Sequence, residues 1–190
     1  SHKGEFLEKM LKIEKINSFY AFEPQKDIFD YLYKKFSLNK KINLFNYAVD
    51  REISKKKLKI NKLTMTSSLA EINEKSLYLK LKNFLTFSKS NFVGEYMVET
   101  NTIDNIFKDV NLKKTLLKID VEGFEMNVIQ GSQIKLKEIP FILLENQFGN
   151  HYKNNDFKDI KDFLLKQNFV ILKKFVFPTV HYQDVLFKKI

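Results

Sequence analysis

Cysteine is absent from the 190 residues, which excludes a disulfide framework, a thiolate nucleophile and any Cys-ligated zinc or iron–sulfur site. A chain of this kind suits the reducing cytoplasm, and a cytoplasmic location is expected. Arginine is scarce as well, with Arg51 the one instance among 33 basic residues. The net charge of +10 therefore comes from lysines spread along the whole sequence, whereas groove and phosphate readers favour clustered Arg. Trp is missing while Lys, Asn, Ile and Phe are abundant, so compositional bias accounts for the charge and no nucleic-acid partner is expected. No apolar run approaches the ~20 residues of a membrane span, so none is expected. A Gly-x-Ser-x-Gly turn is also lacking, which leaves Ser67 and Ser68 without the strained elbow of a nucleophilic serine and argues against a hydrolase. His2, His151 and His181 are scattered and read as surface or loop residues, although His151 follows the strand ending at Glu145 closely enough to reach a cleft.

What is present suffices for a core: 44% hydrophobic residues, 19 of the 190 being Phe, fit one domain spanning 1–190. Phe6, Leu7, Met10 and Leu11 share a helical face within 5–15, and Asn17-Ser18 follow as breakers. A strand over 19–22 then leads into a helix whose first turn would hold Pro24 and whose buried face carries Ile28, Phe29, Leu32 and Phe36. A strand over 42–49 precedes a Lys-rich exposed edge strand over 53–63 and a hydroxyl-rich loop over 64–68. Residues 70–87 have mixed helical character, followed by a short strand at 96–100 and a helix near 104–107. The last third alternates clearly: strand 115–120, helix 123–130 ending at Gly131, strand 140–145, helix 156–167, then runs at 169–177 and 180–187 around Pro178-Thr179. Such alternation implies βαβ units and a mostly parallel sheet. The closing pair, joined by a short turn, can only be antiparallel.

Three of the apolar runs end in acids. Phe19 to Phe22 delivers Glu23, Leu116 to Ile119 delivers Asp120 and then Glu122, and Phe141 to Leu144 delivers Glu145 with Asn146. In open α/β sheets the carboxyl ends of the strands face the ligand crevice, and carboxylates there are costly unless solvated, paired or used. Lys118 lies two positions before Asp120, so both side chains point to one face and can pair. That pair could hold a substrate hydroxyl or tune a general base, and it could equally be structural. Asp120 and Glu122 could instead cap the helix that follows. Asp120 with Glu145 could hold a hard cation, but two carboxylates make a thin donor set, and no metal is expected. Gly4 precedes the first helix and Glu23 comes 19 positions later, a spacing like that between the glycine and the ribose-binding acid of nucleotide-binding βαβ units.

Lys118-Ile-Asp120-Val-Glu122-Gly123-Phe-Glu125 followed by Val128-Ile129-Gln130-Gly131 resembles the Lys-Ile-Asp-Val-Glu-Gly strand and helix of FkbM-type methyltransferases, class I S-adenosylmethionine-dependent enzymes. Ala21-Phe22-Glu23-Pro24, Asn46-Tyr-Ala48-Val49, Ser67-Ser68-Leu69, Thr102-Ile103-Asp104 and the strand ending at Glu145 stand in the same order as in that family, over essentially the whole chain. The resemblance implies a class I methyltransferase-like, Rossmann-like α/β fold, a doubly wound mostly parallel sheet with a C-terminal antiparallel pair. It implies S-adenosylmethionine as cofactor, held over Gly4 with its ribose on Glu23 and its adenine near Asn46 and Ala48. Asp120 would be the general base or hydroxyl orienter, with Lys118, Glu122 and Glu145 positioning it or a small-molecule or glycan acceptor. Asp50-Arg51 depart from the Gly-Asp that commonly follows Ala-Val in the family. Residues 1–6 look like the second half of the cofactor loop, so the chain is expected to be N-terminally truncated, lacking the first strand, and poorly stable for that reason.

The expected function is methyl transfer to a hydroxyl of a sugar or other small metabolite. The alternative is a catalytically impaired domain of the same fold that binds a glycan or a protein partner. A nicotinamide-dependent oxidoreductase is disfavoured by the closing antiparallel pair, and a Lys-driven RNA or anionic-membrane binder comes third, separable by its salt dependence. The acceptor and the oligomeric state are not legible in the sequence.

Overall fold

The computed structural model describes residues 3–61, 69, 92–147, 156–176 and 182–190. The expectations for the 64–68 loop, the 70–87 helix, Ser67, Ser68, the Pro178-Thr179 turn and the three histidines lie outside these residues. In chain order the elements are α1 (Glu5–Leu11), β1 (Phe19–Phe22), α2 (Lys26–Phe36), β2 (Ile42–Phe45), β3 (Ala48–Val49), β4 (Ser54–Asn61), β5 (Phe92–Asn101), α3 (Ile103–Ile106), β6 (Leu116–Ile119), α4 (Glu125–Gln130), a 3-10 turn (Lys135–Lys137), β7 (Phe141–Gln147), α5 (Phe157–Lys166), β8 (Phe169–Val176) and β9 (Tyr182–Lys189).

The class is mixed α/β. Hydrogen bonding divides the described strands into three sheets: parallel β1-β2, a mixed β3-β5-β4, and β6-β7-β9-β8. In the last, β6 and β7 run parallel while β9 is antiparallel to both β7 and β8, as the short connection at the C-terminus requires. The run expected as one strand over 42–49 is two, because the chain leaves β1 after Phe45 and β3 pairs with β5 instead. Helix α1 is shorter than expected and stops at Leu11. Pro24 lies before Gln25, the N-cap of α2, not within its first turn.

The largest core packs one face of the four-stranded sheet, through Ile119, Ile142, Leu144, Val185 and Phe187, against Val128 and Ile129 of α4 and Ile160 and Leu164 of α5. Alternation along the strands explains this: Ile142 and Leu144 point into the core, whereas Leu143 and Glu145 point to the other, half-open face. A second cluster joins Leu7 of α1 and Ala21 of β1 to Leu32 and Phe36 of α2. Spacing of four residues puts Ile28, Leu32 and Phe36 on one stripe of α2. Two caps fix helix starts, the Thr102 hydroxyl accepting from Asn105 N at 3.0 Å and the Asp156 carboxylate from Lys158 N at 2.8 Å.

Candidate active site

Lys118 pairs with Leu143 and Ile119 with Leu144 in the β6/β7 register, so the next residues along, Asp120 and Glu145, come level at the carboxyl ends of the two strands. Glu122 joins them through an unusual backbone. Its φ is 52° and that of Gly123 is 90°, two consecutive left-handed residues that fold the chain back before α4 begins. Glycine takes that conformation freely, while a glutamate there is strained, a frequent property of functional loops. Carboxylate oxygens of Asp120, Glu122 and Glu145 lie within 4.8 Å of one another. The carboxylate that serves the helix start is Glu125, buried, with Oε1 accepting from Gly123 N at 3.1 Å. The helix therefore begins two residues later than the sequence suggests.

Lys118 makes an ion pair with Asp120, and its ammonium lies 5.1 Å from the centre of the Phe6 ring on α1. Helix α1 thus reaches the acidic end of β6. Burial pushes the Glu145 carboxyl up from 4.5 to about 7; Asp120 and Glu122 add to the rise, Lys118 opposes it and Asp184 adds further. The site thereby holds one acid able to keep its proton near neutrality beside acids that accept hydrogen bonds. Three such oxygens also suit a hard cation, but Lys118 already supplies positive charge to one of them.

The four residues expected on the cofactor side lie on other elements. Gly4 caps α1 with φ 83°, and a Cβ at that position would meet the Phe36 ring at 2.6 Å. The left-handed backbone and the close packing against α2 both favour glycine here, a local reason apart from any ligand. Glu23 is buried just beyond β1, its Oε1 accepting from Gln25 N at 3.1 Å. The Asn46 amide donates to the carbonyls of Glu23 at 2.9 Å and Pro24 at 3.3 Å, so it clasps the loop that carries Glu23. Ala48 is buried in β3 against Leu58 and Val98.

Two acids escaped the sequence reading, one buried in the β3–β4 turn and one beside Glu145. Asp50, noted only as a departure from the family pattern, is fully buried. It accepts from the Asn127 amide at 3.1 Å and pairs with Lys56 Nζ at 2.5 Å. Its carbonyl sits where a Cβ on residue 131 would come within 2.0 Å, so Gly131 permits the close approach of α4 to the β3–β4 turn. Asp184 lies opposite Glu145 in the β7/β9 register; an acid at the head of the apolar alternation Val185, Phe187 was the available hint. A hollow of about 430 Å³ lined by Tyr47, Ser54, Glu99 and Thr100 lies by the three-stranded sheet and includes none of the expected site residues.

Residues 2–171 match the family model for the methyltransferase FkbM domain. No curated protein and no solved structure gives a match.

Proposed function

The chain belongs to the FkbM methyltransferase family, and from that premise we propose that it uses S-adenosylmethionine to methylate a hydroxyl of a sugar or another small metabolite. The observation that carries this reading is the convergence of Asp120, Glu122 and Glu145 within 4.8 Å at the ends of two parallel strands, with Lys118 bonded to Asp120. We read the parallel β1-β2 and β6-β7 pairs, together with antiparallel β9, as parts of a doubly wound class I sheet in one domain.

The donor set fits the cofactor. Glu23 offers a buried carboxylate, fixed by the Gln25 amide, and such a group accepts hydrogen bonds from a ribose diol. Asn46 keeps it in place through the Glu23 and Pro24 carbonyls. When bound, the cofactor supplies an electrophilic methyl group on sulfur. Asp120 would receive the proton of the acceptor hydroxyl as that oxygen is methylated. Lys118 holds the Asp120 carboxylate in one orientation, and Glu122 and Glu145 hold the acceptor so that its oxygen is in line.

Transfer of isotope-labelled methyl from S-adenosylmethionine to neutral methyl glycosides tests the assignment. Asp120→Asn is expected to lower turnover by about 10²- to 10⁴-fold while the circular dichroism spectrum stays unchanged. Turnover equal to that of the parent chain would remove Asp120 from the mechanism. Cofactor binding without transfer to any acceptor would favour a catalytically impaired, binding role.

A further inference from the structure

Asp50 is a fully buried charge to which the methyl-transfer mechanism gives no task. Its backbone is fixed from two directions: its N–H donates to the Asn101 carbonyl at 2.8 Å, and its own carbonyl lies where only a glycine at 131 lets α4 approach. The carboxylate links two elements. Oδ1 accepts from the Asn127 amide on α4 at 3.1 Å, and Oδ2 faces Lys56 Nζ of β4 at 2.5 Å. That ammonium also reaches Glu52 at 3.0 Å and lies 5.7 Å from the centre of the Phe124 ring. Phe124 is the N-cap of α4, so the β3–β4 segment grips the first turn of this helix at two points. Immediately before those points stand the residues most in need of support. Glu122 and Gly123 have φ of 52° and 90°, and a left-handed glutamate persists only where its surroundings over-determine it. From within the loop, Glu125 Oε1 holds the Gly123 N–H at 3.1 Å. From outside, the grip of Asp50 and Lys56 fixes the residues that follow. A buried ion pair adds little net stability, because its desolvation offsets its attraction, so its use here is to fix a geometry.

We propose that Asp50 and Lys56 are positioning residues: acting through Asn127 and Phe124, they hold the Glu122–Gly123 loop in its left-handed form and so keep the Glu122 carboxylate beside Asp120 and Glu145. The inference rests on the methyl-transfer reading for the task of Glu122, which is to hold the acceptor. Asp50 and Lys56 themselves touch no reactant.

The experiment uses Asn127→Ala, which cuts α4 from Asp50, keeps the ion pair and places a strong helix former in the helix. Amide hydrogen exchange at Gly123 should quicken about tenfold or more, with the β7 amides unchanged. With S-adenosylmethionine and neutral methyl glycosides, the acceptor KM should rise about fivefold while the cofactor KM stays constant. In a Glu122→Gln background the same substitution should add less than about twofold, because the two residues act as one unit. The paired change Asp50→Asn with Lys56→Met, which leaves no lone charge in the interior, should behave as Asn127→Ala does. Unchanged exchange at Gly123 in Asn127→Ala overturns the inference and leaves methyl transfer standing. So does a rise in acceptor KM of equal size with and without Glu122→Gln, the mark of a general structural role. Absence of transfer by the parent to every glycoside would overturn the methyl-transfer reading, and this inference with it.

Discussion

Single side chains decide the chemistry of this molecule through where they are buried. Glu145 keeps its proton to about pH 7 in the folded chain and to about 4.5 when solvated. Between those values the folded state binds more protons than the unfolded one, so stability is greatest below about 4.5 and declines as pH rises through about 7. Thermal melts across that window should show the decline, and Glu145→Gln should flatten it; an identical slope in the variant would show that the carboxyl is not buried as described. Gly131 has a different kind of requirement. A methyl group there would meet the Asp50 carbonyl at 2.0 Å, and because that neighbour is backbone, Gly131→Ala should cost about 1–3 kcal/mol, toward the upper end, in chemical denaturation. The acids at 23, 120 and 145 were legible in the sequence because each ends an apolar run. Asp184 and Asp50 were not, since their importance comes from a strand pairing and a helix contact formed by residues far away in the chain.

At the scale of elements, the loop from Asp120 to Phe124 shows how a local rule is broken for a site. Sequence spacing suggests a helix from 123, yet Glu122 and Gly123 both adopt positive φ, and α4 starts at Glu125. Relieving the strain by Glu122→Gly should raise stability by roughly 0.5–1 kcal/mol while lowering methyl transfer, since the third carboxylate is lost. Equal loss of stability and activity would mean that the loop conformation is not strained. The periodic elements α2, β1, β6, β7 and α5 follow from patterning alone, because the buried stripe and the strand alternation are set by nearest neighbours. The break between β2 and β3 was not legible. Nothing in Phe45 to Ala48 announces that one strand ends beside β1 and the next begins beside β5, a choice made by the long β5 strand.

For the whole molecule, α5 and the four-stranded sheet form the largest core. Leu164 is fully buried within it, so Leu164→Ala should cost about 2–5 kcal/mol by denaturant titration. A loss below about 1 kcal/mol would imply that α5 is not seated on the sheet. The α/β class and the antiparallel closing pair could be read from the order of the runs, whereas the division into three hydrogen-bonded sheets could not, because register is a property of strands meeting and not of any one strand. We propose that Glu23 on the β1 side and Asp120 on the β6 side serve one methyl-transfer site. Isothermal titration calorimetry with S-adenosylmethionine tests it most directly. Saturable one-to-one binding, weakened about tenfold or more in Glu23→Ala and retained in Asp120→Asn, is the predicted result; no saturable binding by the parent chain, or equal binding by Glu23→Ala, would contradict it.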